Sequence, residues 1–135
     1  MQNIDINMYN ESGEAARVSV AARVVGDLAL HREANIDGTD KRPLRWRVTH
    51  VGTGAAIMSA LPYVSGKPRE GTAPKAAYLN WMRQVQDTPE YRNWARHMAA
   101  APFGLIHPRD LGAKAVDASR VFVKVARNLD APFLP

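Results

Sequence analysis

The chain of 135 residues is 46% hydrophobic and 23% charged, which is typical of one globular domain with its own core. It contains no cysteine, which excludes disulfides and thiolate chemistry, and no apolar run reaches the ~18 residues of a membrane span. The amino terminus lacks a signal-peptide pattern, so we expect a cytoplasmic protein with no membrane partner. The net charge of +5, carried mainly by arginine, favours an anionic partner such as nucleic acid, although a GC-rich genome would also enrich arginine.

The first half of the chain is predicted to form β-strands. Residues 1–14 are interpreted as an N-terminal arm and residues 16–61 as the β-rich region. Apolar residues alternate over 18–24 and continue the pattern at 28–30, after a Gly26–Asp27 turn. This period of two is typical of strands with one buried face.

A loop dense in turn-forming residues, 35–43, precedes a predicted strand over 44–51. The glycines of 52–54 permit a tight reversal, after which residues 55–61 return beside that strand. The prediction is an antiparallel meander of three or four strands. The strand over 44–51 has unlike faces: Leu44, Trp46, Val48 and His50 point one way, and Arg45, Arg47, Thr49 and Val51 the other.

The second half carries an internal repeat. The segment Tyr78 to Val85 recurs thirteen positions later as Tyr91 to Met98, with Tyr, Asn, Trp and Arg in the same order. Apolar residues recur at helical spacing in both copies, which predicts two amphipathic helices. Between them, residues 87–90 combine a capping residue, a proline suited to the first helical position and an acidic residue. Residues 74–100 are therefore interpreted as an αα-hairpin with both aromatic stripes facing the core. Residues 62–73, which are rich in proline and glycine, are interpreted as the connector that precedes it.

The C-terminal segment, residues 101–135, fits two interpretations. Residues 109–118 have helical composition, while residues 120–125 alternate like a strand that returns to the sheet, and we favour this combination. The alternative is a helix that buries Phe122, Val125, Ala126 and Leu129.

Together these elements predict an α+β fold in a single domain. An antiparallel β-meander packs against the αα-hairpin and the C-terminal segment. Each tryptophan lies on the apolar face of its element, so Trp46, Trp81 and Trp94 are all expected to be buried.

The sequence contains no recognisable catalytic or cofactor motif. The four histidines, His31, His50, His97 and His107, have no metal-ligand spacing, so neither a metal site nor a cofactor is expected. The one acid/base constellation that can be assembled joins His31, Arg32 and Glu33 to His50 if their strands pair. A structural histidine is the more typical interpretation of His50, because it lies on an apolar strand face.

Basic residues are the better functional candidates. One predicted surface, on the sheet and its preceding loop, comprises Arg32, Lys41, Arg42, Arg45 and Arg47, and would contact backbone phosphates. A second, on the outer side of the helices, comprises Lys75, Arg83, Arg92 and Arg96, and its three arginines are the candidate binding residues. In both places a solvated surface without function is the alternative.

We therefore expect a small non-enzymatic binding protein that engages nucleic acid or a nucleoprotein complex through an arginine-rich surface. One alternative is an accessory or anti-defence protein of a mobile element or phage, which inhibits a protein partner by direct binding. Such an inhibitor needs no motif, because shape and a few anchor residues suffice. A small enzyme that uses the His31/His50 region is the third possibility.

Overall fold

The computed structural model describes residues 1–9, 12–57, 74–99 and 108–129. The predicted strand end at 58–61, the connector at 62–73, residues 100–107 with His107, and the tail at 130–135 lie outside the described residues. No helix within the described ranges is long and apolar enough to cross a membrane.

Five strands form one antiparallel sheet in chain order, which confirms the predicted meander and its place in an α+β fold. The expected N-terminal arm is instead largely a strand, which pairs with the next one from Gln2 opposite Ala22 to Tyr9 opposite Ala15. The alternation of Ile4, Ile6 and Met8 was the signal for it. The strands are β1 (Gln2–Tyr9), β2 (Ala15–Val25), β3 (Leu28–Arg32), β4 (Trp46–His50) and β5 (Ala55–Ala56).

The sheet curls into a half-barrel. β1 and β5 are at opposite ends of the strand order, yet the Asn7 backbone N–H donates to the Gly54 carbonyl at 3.0 Å, just before β5. Small aliphatic side chains fill the concave face, while the intervening residues of β1 and β2 are mostly exposed, as the period of two requires. We call this cluster the half-barrel core: Ile4, Ile6, Val18, Val20, Ala22, Ala29 and Ala34.

Three helices pack on the opposite face of the sheet, where they cover mainly β3 and β4. Helix α1 (Lys75–Gln86) contacts β2 and β3, and α2 (Pro89–Ala99) packs chiefly against α3 (Ala113–Asn128). A short 3-10 helix at Pro108–Leu111 leads into α3. Strand and helix residues form one helix-facing core: Leu28, Leu30, Val48, Ile57, Tyr78, Trp81, Met82, Val85, Tyr91, Trp94, Met98, Ala118, Phe122 and Ala126.

The two copies of the repeat form separate helices, as predicted. Thr88 lies between them, and its hydroxyl oxygen accepts the Tyr91 backbone N–H at 3.2 Å while its O–H donates to the Val85 carbonyl at 2.7 Å. One side chain thus caps the start of α2 and satisfies a carbonyl at the end of α1. This break rotates the second stripe so that both copies reach the same core.

Two of the three tryptophans are buried as expected. Trp81 is fully buried, and its indole N–H donates to the Ala126 carbonyl at 3.4 Å, which links α1 to α3. Trp94 meets the Phe122 ring edge to face, with the centroids 4.7 Å apart. Trp46 is only partly buried, so the prediction of burial for all three is wrong at this residue.

The favoured strand at 120–125 is also wrong, because these residues lie within α3. Buried residues recur every three or four positions there, at Ala115, Ala118, Phe122 and Ala126, while Val121 is 51% exposed. A β-branched residue loses only about half a kcal/mol of helix propensity. Burial of an aromatic ring such as that of Phe122 contributes about 1.5–3 kcal/mol, so packing against α2 decides the conformation.

Gln86, near the end of α1, ties that helix to the β2–β3 turn. Its amide nitrogen donates to the Val25 carbonyl at 2.8 Å, and its amide oxygen accepts the Asp27 backbone N–H at 2.9 Å. Gly26 between them has φ +60°, and a Cβ there would clash with the Gln86 amide oxygen. The glycine therefore permits both the turn and the close approach of the helix.

Candidate nucleic-acid interface

A partly exposed tryptophan at the start of β4 lies close to two cationic side chains. Trp46 begins β4 opposite Arg32, so their side chains share a face, and Arg32 Cζ lies 3.7 Å from the centroid of the Trp46 ring. The Nζ of Lys75, the first residue of α1, is 5.7 Å from the same centroid. Both distances fall within the roughly 6 Å range of cation–π attraction. We call Arg32, Trp46 and Lys75 the Trp46 platform.

The guanidinium of Arg32 contacts the Trp46 ring rather than an acidic side chain of the described residues. Within the described part of the chain, no carboxylate or carbonyl pairs with it, and its closest partner is the Trp46 ring. Stacking restrains the plane of the group and leaves its N–H edges directed away from the ring. Such a restrained fork is suited to bidentate contact with a phosphate or carboxylate.

The start of α1 adds positive potential beside the ring. Pro74 precedes the helix without a side-chain cap, and the first turn contains no acidic residue. The free backbone N–H groups of a helix start carry partial positive charge. The charge of Lys75 is therefore not offset within its own first turn.

Arg47 belongs to the other face of the sheet. Its Nη2 is 2.8 Å from Glu33 Oε1, and the Nζ of Lys41 is 3.8 Å from the same oxygen. The prediction that Arg32, Arg45 and Arg47 line one surface is therefore wrong, because strand alternation separates Arg32 from Arg47. Two of the predicted cations instead neutralise one carboxylate.

Arg42 and Arg45 lie in the loop that leads into β4. Arg42 is exposed and Arg45 is partly buried, and among the described residues neither side chain has an ion pair or a hydrogen bond. The Arg45 carbonyl accepts the Glu33 backbone N–H at 2.9 Å, which anchors the end of the loop to the end of β3. The β3–β4 register thus continues to Arg45, which lies opposite Glu33 on the face of Arg47, while Arg42 is an exposed cation of the loop that precedes Trp46.

The arginines of the first two helices form the second basic surface, and all three are exposed as predicted. An Arg92 N–H donates to the Asp87 carbonyl at 3.2 Å, and an Arg96 N–H donates to the Asn93 side chain at 3.4 Å. These local bonds leave the charges at the surface. We call Arg83, Arg92 and Arg96 the helix arginines.

His31 is buried beneath the platform, on the concave side of the sheet. Its Nδ1 is 2.8 Å from the Arg32 carbonyl, and its Nε2 is 2.7 Å from the Thr49 hydroxyl. A carbonyl only accepts, so Nδ1–H donates, and in the neutral ring Nε2 accepts the Thr49 proton. Burial lowers the pKa of His31 from 6.5, the Arg32 carbonyl opposes the shift, and Arg47 adds to it. The neutral ring thus anchors the backbone of Arg32.

His50 is buried on the helix-facing side. Its Nδ1 is 3.0 Å from the Thr53 hydroxyl, and its ring meets Trp94 edge to face at 5.3 Å. Burial lowers its pKa from 6.5, with a smaller opposing effect from Asp27. This is the structural histidine that the sequence favoured.

The hypothesised cluster of His31, Glu33 and His50 is not formed. β3 and β4 do pair, but the register places His50 opposite Leu28 and His31 opposite Arg47, so the two imidazoles project from opposite faces. In the described ranges, no group of three or more histidine or acidic side chains is arranged to hold a metal ion.

Sequence reasoning placed Lys75 on the outer side of the helices and missed its proximity to Trp46. Pro74 is a signal for the start of a helix, but nothing in the residue order shows which strand that start adjoins. It also missed the surface position of Trp46, which the alternation placed on the apolar face. In comparisons with known proteins, no family model, curated protein or solved structure matched the chain.

Proposed function

We propose that the protein is a small, non-enzymatic, cytoplasmic nucleic-acid-binding protein, and that the Trp46 platform, with Arg42 in the adjoining loop, forms its binding surface. The observation that carries this proposal is the Arg32 guanidinium stacked 3.7 Å from the Trp46 centroid, with Lys75 beside the same ring. Cations next to a partly exposed aromatic surface are typical of proteins that bind nucleic-acid strands.

The charges at this surface suit phosphate. The nearest acidic side chain in the sequence, Glu33, is already paired with Arg47 and Lys41. The donors of Arg32 therefore have no carboxylate competitor among the described residues, and a phosphate oxygen can accept them. Release of counterions from the bound strand would supply affinity that depends strongly on salt.

The test is a binding isotherm with a double variant, Arg32→Ala/Lys75→Ala, measured by fluorescence anisotropy at two salt concentrations. Binding should weaken for every nucleic-acid sequence, and the slope of log K against log salt should fall by about one for each lost phosphate contact. The matched control is Arg120→Ala/Lys124→Ala, which removes the same charge from exposed positions on α3. Equal affinity and equal slope for the platform variant and the wild type, with both folded, would reject the site.

A second candidate function is inhibition of a protein partner, as in an accessory or anti-defence protein of a mobile element. The observation that favours it is the exposure of all three helix arginines on elements whose inner faces are locked in the core. Arginine on a rigid helix is a common anchor of protein interfaces. Charge reversal at these positions separates the two candidates.

A further inference from the structure

The Trp46 platform presents the flat face of a guanidinium as well as its positive charge. The Trp46 ring packs partly against the helix-facing core, so its orientation is set from below. Arg32 is set from two sides, because its guanidinium lies on that ring and its carbonyl accepts the His31 Nδ1–H. A half-buried planar group restrained in this way loses little conformational entropy when a ligand stacks on it.

A guanidinium plane is a stacking surface for a nucleobase. It is delocalised and weakly hydrated, and unpaired bases stack on arginine planes as they do on aromatic rings. In a duplex each base is already stacked on its neighbours, so a duplex offers this surface only phosphates and base edges. A single strand offers the face of the base and the phosphate together.

The surrounding charges match that combination. Lys75 lies beside the ring, and exposed Arg42 belongs to the loop that leads to Trp46, without an acidic partner among the described residues. A strand whose base stacks on Arg32 can therefore place its neighbouring phosphates near these cations. Base stacking combined with contacts to the neighbouring phosphates is how proteins bind single strands without sequence preference.

We infer that the Trp46 platform prefers single-stranded over double-stranded nucleic acid, because an unpaired base stacks on the Arg32 guanidinium supported by Trp46. This inference rests on the proposed function and specifies its ligand. It assigns Trp46 the role of support and Arg32 that of the stacking plane.

The decisive variant is Arg32→Lys, which keeps the charge and removes the plane. Dissociation constants are measured for one short labelled oligodeoxynucleotide, alone and annealed to its complement, with wild type, Arg32→Lys and the control Arg45→Lys. Wild type should bind the single strand more tightly. Arg32→Lys should weaken single-strand binding about 5- to 100-fold, the effect of one lost stacked base, and leave duplex binding nearly unchanged.

A second readout reports whether a base comes close to Trp46, on the far side of the Arg32 guanidinium. Binding of the single strand should quench part of the tryptophan fluorescence of the wild type, and the duplex should not. Trp46→Phe should lose that quenching, since Trp81 and Trp94 are buried away from the ligand. Circular dichroism of each variant establishes that it is folded.

The outcomes separate the inference from the function on which it rests. Equal affinity for the two ligands, or an unchanged single-strand affinity in Arg32→Lys, would overturn the stacking inference while nucleic-acid binding stands. Failure of the wild type to bind either ligand would overturn both. Selective loss of single-strand binding in Arg32→Lys, with Arg45→Lys affecting both ligands alike, would support the inference.

Discussion

Trp81 and Trp94 differ from Trp46 in their surroundings, although all three lie on the apolar faces of their elements. The two helical tryptophans are 0% and 5% exposed and contact other aromatic or backbone groups of the helix-facing core. Trp46 lies at the start of β4, where its ring is shared between that core and two cations. The same side chain therefore anchors the core in one region and builds a charged surface in the other.

This difference shows what an apolar pattern can and cannot determine. Alternation assigns a residue to a face of a strand, and both Trp46 and Val48 are on the face that meets the helices. How deeply a residue is buried depends on whether the covering helix extends over it. α1 begins at Lys75, so its charged first residue, rather than an apolar one, is the neighbour of Trp46.

The largest expected effect is on stability, and it tests the difference between the three tryptophans directly. Replacing Trp81 or Trp94 with alanine should lower the free energy of unfolding by about 3–5 kcal/mol, because each leaves a large cavity in a packed core. Trp46→Ala should cost clearly less, since the site is open to solvent and to the movement of two flexible side chains. Urea denaturation followed by circular dichroism measures all three.

Quenching by ions provides an independent check of the same comparison. Iodide should quench Trp46 more effectively than caesium, because Arg32 and Lys75 attract the anion to this ring. The iodide-accessible fraction should disappear in Trp46→Phe. Equal destabilisation by all three alanine variants, together with no iodide-accessible tryptophan, would show that Trp46 is a core residue after all.

The second prediction concerns the buried histidines, one on each face of the sheet. Burial lowers the pKa of both His31 and His50 in the folded protein, while the unfolded chain returns them to about 6.5. Below that pH the unfolded state binds more protons than the folded state. The contribution of these histidines to the free energy of unfolding should therefore be complete above about pH 6.5. It should be lost as the pH drops toward their folded-state pKa values.

The matched variants for this prediction are His31→Gln and His97→Gln. His31→Gln removes one buried imidazole and should flatten the dependence of stability on pH, whereas His97→Gln, on the partly exposed side of α2, should retain it. Urea denaturation at a series of pH values below neutrality measures the slope. An identical slope in the wild type and His31→Gln would show that His31 does not contribute.

The smallest expected effect on stability is at the helix arginines. Arg92→Glu/Arg96→Glu should shift the free energy of unfolding by less than about 0.5 kcal/mol per substitution, because both side chains are exposed. The same variant should abolish capture of a protein partner if these residues anchor it, and should largely preserve nucleic-acid binding at the Trp46 platform.

Two results would contradict the role given to these arginines. Unfolding of the double variant would mean that the Arg92 and Arg96 side chains support the fold. Loss of nucleic-acid binding comparable to that of Arg32→Ala/Lys75→Ala would mean that the binding surface lies on the helices instead.

Much of the architecture could be predicted because its signals are local. The repeat at 78–98 has helical spacing within each copy, and Thr88 with Pro89 marks the break between the two helices. The alternation in β2 and β4 predicted the meander, and the buried positions of β2 follow it closely. These features depend on the neighbours of each residue along the chain, so the chain order contains them.

The wrong predictions concern residues whose conformation or surroundings depend on contact between segments far apart in sequence. Residues 120–125 alternate like a strand, but contact between Phe122 and the aromatic rings of α2 stabilises a helix. The set of arginines proposed for one surface was divided by the β3–β4 register, which no local pattern specifies. Of the three platform residues, only Arg32 was therefore predicted as a site residue, and its proximity to Trp46 and Lys75 was not predicted.

The sequence by itself determined the fold class, the two amphipathic helices of the repeat, the cap between them and the positive net charge. Only the tertiary structure decided which arginines pair with Glu33, which one stacks on Trp46, and that Lys75 joins it from a helix 29 positions further along the chain. Hydrophobic periodicity is a property of adjacent residues and survives in the printed order. Cross-strand register and helix docking are set by the packing of segments far apart in sequence. No local pattern therefore shows which of their side chains will be in contact.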